Sequence, residues 1–207
     1  VIDDERQGHK ESERPQDFSP EHTRKALDAS LRRLQTDYVD LYQLHNPRMS
    51  AIQSDELFAE LEALKQSGKI RHYGVALGPA IGWREEGVEA LERRAITGLQ
   101  TVYNILEQTP GNDFLTTAEL QGNAGIMARV PTASGLLEDW LTPETEFGPA
   151  DHRRHRPKAW LTDGLKKAKE YRFLTREGER TLAQAALKFI ISQPAMTTVI
   201  PTVTRVS

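Results

Sequence analysis

Short strand-like stretches alternate with amphipathic stretches of helical period along this chain, and that alternation restricts the fold more than any other feature. Ser19-Pro20-Glu21-His22 reads as a helix opening, with Ser19 as N-cap and Pro20 at the first helical position. Ala26, Leu27, Leu31 and Leu34 follow at helical spacing and predict a helix to about Leu34. YVDLYQLH then alternates with period two, placing Val39, Leu41 and Gln43 on one face and Tyr38, Asp40, Tyr42 and Leu44 on the other. His45 closes that strand before the Asn46-Pro47 break. The pattern recurs as SDELFAELEALKQSGKI, an N-capped helix ended by Gly68, before the strand IRHYGVAL. WREEGVEALERR precedes GLQTVYN, and FLTTAELQG precedes GIMARVP. A longer interruption from Thr132 to Gly178 contains one extra helix in WLTDGLKKAKEYRFL, and TLAQAALKFIISQ with MTTVIPT completes the series.

Five strands alternating with helices define a parallel α/β fold, either doubly wound or a (β/α)8 barrel. His45, Gln100, Arg129 and Thr202 all fall at or just after strand C-terminal ends, the face where barrels carry their chemistry. A doubly wound dinucleotide fold needs a Gly-rich fingerprint after its first strand, and the chain contains no GxGxxG. The barrel is the better reading, as a partial (β/α)8 TIM barrel with about five of eight strands.

With 207 residues, 38% hydrophobic and 28% charged, residues 1–207 are expected to form one barrel-like domain. Residues 1–18 are charged, without hydrophobic period, and read as an exposed loop; both ends look truncated. A net charge of −3 gives no electrostatic reason to expect nucleic acid or a membrane surface, so a small-molecule partner is expected. The absence of cysteine excludes disulfides, thiolate metal sites and a cysteine nucleophile, and agrees with a cytoplasmic location. In DHRRHRP, residues 151–157, Asp151, His152 and His155 raise the question of a metal, but Arg153, Arg154 and Arg156 would repel a cation. The cluster reads as a solvated basic loop or an electropositive lip, and WREEGVEALERR as an exposed helix face.

SLRRLQTDYVDLYQLHNP, LKQSGKIRHYGVA, LQTVYN, GIMARVPTASGLL and TLAQAALKFIISQPAMTTVIP, in that order, resemble the central and C-terminal segments of the aldo-keto reductases. The resemblance implies a (β/α)8 barrel that reduces aldehydes or ketones with NADPH, using a tetrad of Asp, Tyr, Lys and His. It places the His role on His45, whose imidazole would donate to the substrate carbonyl oxygen; the plain alternative is a strand-capping histidine. The Asp, Tyr and Lys would lie upstream of this sequence, which as it stands would be inactive; Asp3 and Asp4 are loop residues, and Tyr38 and Tyr42 are expected to pack between sheet and helix.

For the cofactor, the resemblance puts the grip on the nicotinamide carboxamide on Gln100, while Ala76 and Leu77 replace the Ser-Asn pair that shares it in many members. Arg129 stands where many members carry a stacking aromatic ring; an Arg paired with a carboxylate is the alternative. PTASGLL matches the diphosphate loop, with Pro131, Ser134, Gly135 and Leu136 as its contact residues. Arg205 would suit the 2′-phosphate of NADPH. A second function class stays open, a non-catalytic barrel that senses nucleotides or binds a partner, for which Ala76, Leu77 and Arg129 are the hints.

Overall fold

The computed structural model describes residues 16–78 and 83–201. Thr202, Arg205 and most of the charged N-terminal stretch lie outside the described residues. Helix α1 spans Pro20–Leu34, and its Ser19 cap accepts from the His22 N–H at 3.2 Å. Thr23, Leu27 and Leu31 bury its inner stripe. Leu34, expected on that stripe, is 63% exposed, because the chain turns left-handed at Gln35 directly after it. Strand β1 is Val39–His45, followed by a single helical turn, α2, at Met49–Ile52. Helix α3, Asp55–Gln66, is capped by Ser54 and buries Leu57, Phe58, Leu61 and Leu64. Strand β2 is Ile70–Ala76, α4 Arg84–Arg93, β3 Gly98–Val102, α5 Gly111–Gln121 and β4 Gly125–Arg129. Helix α6, Lys158–Glu170, is the extra helix, α7 is Leu182–Ile191 and β5 is Met196–Ile200. Thr181 and Gln184 form a reciprocal capping box at the start of α7.

The strands hydrogen-bond in the order β1-β2-β3-β4-β5, with β1 to β2 and β2 to β3 parallel. Sequential neighbours joined through helices are what the alternating pattern predicts. Strands β2 and β3 approach closely at Gly74, which pairs with Gly98; a Cβ on Gly74 would lie 2.1 Å from the Gly98 carbonyl oxygen.

The chain divides into two compact units. The first runs to Thr101 and includes Thr109–Met127; the second comprises Val102–Gln108 and Ala128 onward. The first packs Leu27, Ile52, Leu57, Leu61, Leu77, Leu91, Leu99 and Phe114 as fully buried side chains. Helix α4 is not a fully exposed charged face: Glu86 is 9% exposed, because Gly87, Ala90 and Leu91 turn the same side inward. The second unit has its own core of Ile105, Leu136, Leu137, Trp160, Leu161 and Leu182, and Tyr103 stacks on Phe189 with centroids 5.9 Å apart. No helix among the described residues is long and apolar enough to cross a membrane.

Candidate active site

The first unit sets three strand ends level. In register, His45 pairs with Ala76, and Ala76 with Gln100. The chain beyond them holds the same alignment: Asn46 N–H donates to the Ala76 carbonyl and Leu77 N–H to the Gln100 carbonyl, each at 2.8 Å. Residues paired this way in parallel strands share a face, so the imidazole of His45 and the amide of Gln100 rise on either side of the Ala76 methyl. Two strand spacings separate them, roughly 10 Å. His45 is exposed and Gln100 half-buried, while Ala76 is buried. Gln43, two residues before His45 on the same face, donates from its amide to the Val75 carbonyl at 3.3 Å.

Asn46 turns the backbone away from β1 with φ of 52°. That conformation suits Asn better than most residues and lets the strand stop with His45 at its tip. The Asn46 Oδ1 is buried and makes no hydrogen bond among the described residues. A cavity of about 590 Å³ opens beside this strand end, lined by Phe18, His22, Thr23, Tyr42, His45 and Asn46. Tyr42 bridges sheet to helix as expected, its hydroxyl donating to the Thr23 carbonyl at 3.4 Å. Tyr38 does not; it is 39% exposed, with the Arg71 guanidinium 4.3 Å from its ring centroid.

The second unit contains the other predicted residues. Arg129 ends β4 half-buried, and burial pulls its guanidinium below the ordinary arginine range. The backbone then enters a run of left-handed residues, Val130 (φ 57°), Ala133 (51°), Ser134 (57°) and Gly135 (98°). Such conformations cost about 1–3 kcal/mol each outside glycine and persist only where surroundings impose them. Asn104 is one such constraint, and nothing in the sequence reading singled it out. It is fully buried, donates to the Val130 carbonyl at 3.0 Å and to Glu107 at 2.9 Å, and accepts from the Leu106 and Glu107 N–H groups. The signal was an Asn at a strand end with Glu three residues on.

Within the loop, the N–H groups of Ala133, Gly135, Leu136 and Leu137 donate to the loop's own carbonyls. Pro131, Gly135 and Leu136 are buried, and Ser134 is half-exposed. The loop therefore offers a ligand Ser134 and its surroundings more than a row of open amides. The 151–157 cluster is not uniformly solvated: Arg153 folds inward and Arg156 covers the Trp160 ring at 4.5 Å, leaving His152, Arg154 and His155 exposed. Among the described residues, no group of three or more His, Asp or Glu side chains is placed to share a metal ion.

The model of the Aldo/keto reductase family matches residues 8–207. The chain is 28% identical over 186 residues to the uncharacterized oxidoreductase YqkF of Bacillus subtilis, spanning 89% of this chain and 56% of that protein. It is 33% identical over 150 residues to the NADH-specific methylglyoxal reductase of Escherichia coli, spanning 70% and 42% respectively. Among solved structures, the holo form of aldo-keto reductase AKR11C1 from Bacillus halodurans superposes with a TM-score of 0.68 at 31% identity, over 88% of this chain and 55% of that one. The chain belongs to the aldo/keto reductase family. It spans about half the length of these relatives.

The residues present fit a nicotinamide in part. Gln100 offers an amide in register with Ala76, and Asn46, next to His45 in the chain, keeps a buried Oδ1 with no hydrogen bond among the described residues. Ala76 and Leu77, at the positions where the family resemblance implies a Ser-Asn pair, are apolar and buried and offer no side-chain hydrogen bond.

Proposed function

We propose that this protein takes part in the NADPH-dependent reduction of an aldehyde or ketone, as part of a (β/α)8 barrel working in the cytoplasm. The observation that carries the reading is the His45-Ala76-Gln100 row, a donor and an amide on one face with a small residue between them. When bound, the dihydronicotinamide supplies the hydride. His45 donates a hydrogen bond to the substrate oxygen, where negative charge grows as the carbonyl is reduced. Its position at the tip of β1 lets it meet a substrate without a backbone rearrangement. Gln100 orients the cofactor's carboxamide, and Ala76 leaves room for the ring. For the second unit the family resemblance implies separate roles: Arg129 at the nicotinamide ring, Pro131, Ser134, Gly135 and Leu136 at the diphosphate, and Arg205, outside the described residues, at the 2′-phosphate. The proton that completes the alcohol is the part the family resemblance gives to a tyrosine, with an Asp and a Lys, roles that it assigns to no residue of this sequence.

The test is turnover of an aldehyde by the complete protein and its His45→Ala variant. Loss of one positioned donor should lower kcat/KM by roughly ten- to a thousandfold while cofactor affinity stays nearly constant. Full activity in the variant would make His45 structural.

A further inference from the structure

Arg153 is 17% exposed, and each of its three guanidinium nitrogens donates a hydrogen bond. Its Nε donates to both oxygens of Asp151 at 3.0 and 3.2 Å, and its Nη2 to Asp151 Oδ2 at 2.6 Å. Its Nη1 donates to the Ser134 carbonyl at 3.0 Å, across nineteen residues of chain. The guanidinium carbon lies 4.9 Å from the Trp140 ring centroid and 4.7 Å from that of Phe147. Asp151 is itself fixed, accepting from the Arg153 backbone N–H at 2.9 Å. Gly135 makes room for this arrangement, since a Cβ there would lie 3.1 Å from Arg153 Nη1.

We propose that Arg153 is a positioning residue for the dinucleotide, a latch that holds the loop from Val130 to Gly135 in the conformation that presents Ser134. The proposal rests on the functional reading above, in which that loop borders the diphosphate. Val130, Ala133 and Ser134 have no intrinsic preference for the left-handed region, so the conformation must be imposed from outside. Asn104 fixes the loop's entry at Val130, and Arg153 fixes its crest at Ser134. Thr132 and Trp140 both donate to Glu138, which ties the exit to the same aromatic wall. With its charge paired to Asp151 and Nη1 committed to Ser134, the guanidinium acts through the loop and does not itself bind phosphate. The fork is required: one face of the guanidinium grips a carboxylate while a separate nitrogen reaches the carbonyl, and an ammonium group cannot do both in this geometry.

The experiment compares wild type with Arg153→Ala, Arg153→Lys and Asp151→Asn in the complete protein, reading amide exchange at Gly135, Leu136 and Leu137 together with titrations of NADPH. Arg153→Ala should speed exchange of these amides and raise Kd about tenfold, as expected if the competent loop falls to roughly one-tenth of the population. Turnover at saturating cofactor should stay within about twofold. Lysine should not restore binding, and Asp151→Asn, which removes the carboxylate that holds the guanidinium, should reproduce the defect if the alanine variant does not fold. Unchanged loop exchange, unchanged Kd, or full rescue by lysine overturns the latch. Wild-type protein that binds neither NADPH nor NADH, yet shows the exchange difference, overturns the functional reading and with it the ligand role of the loop.

Discussion

Asp151 has its carboxyl held down to about 2, first by the side-chain hydrogen bonds from Arg153 and then by the Arg153 backbone N–H. A carboxylate stabilised in the folded state contributes fully above its unfolded pKa of about 3.9, and the contribution is lost as pH falls through the folded value. The Asp151-Arg153 pair should therefore hold at pH 4 and release only as pH falls to about 2, freeing the Ser134 carbonyl. Trp140 stacks on that guanidinium, so its fluorescence reports the event. The expected result is a fluorescence change in this window that Asp151→Asn shows already at neutral pH. A spectrum that is flat to pH 2 in wild type would contradict it. The sequence made His45 visible through its place before Asn46-Pro47, but hid the inward turn of Arg153. Nothing in a run of three arginines marks which one will find a carboxylate and two rings.

At the scale of elements, period-two and period-3.6 patterns were sufficient for every strand and for the long helices, because burial on one face leaves that imprint in sequence. Helix α2 and the 3-10 turns at Ala133–Gly135 and His152–His155 left none; three or four residues are too few to show a period. Register was equally invisible. The row from His45 through Ala76 to Gln100 arises from lateral pairing between strands distant in sequence, which no local pattern encodes. Gly74 shows how tightly that pairing is set. An alanine there would drive its methyl into the Gly98 carbonyl, and only a shift of β2 against β3 could relieve it. Gly74→Ala should destabilise the protein by about 2–4 kcal/mol, in the range of severe backbone and packing defects. Urea denaturation measures this through the midpoint. A change under roughly 0.5 kcal/mol, typical of surface substitutions, would mean that the strands do not approach as described.

At the scale of the whole molecule, membership of the aldo/keto reductase family and the parallel α/β sheet agree with the reading of the sequence. In the proposed function, Ala76 and Leu77 stand where the family resemblance implies a Ser-Asn pair, which would leave the grip on the cofactor amide to Gln100. One neutral hydrogen bond is worth about 0.5–1.5 kcal/mol, or roughly two- to twelvefold in affinity. Titration of the complete protein with NADPH, beside its Gln100→Ala variant, tests this most directly. The account predicts saturable binding that the variant weakens by about that factor without loss of folding. Wild type that shows no saturable binding, or a variant that binds as tightly as wild type, would contradict it.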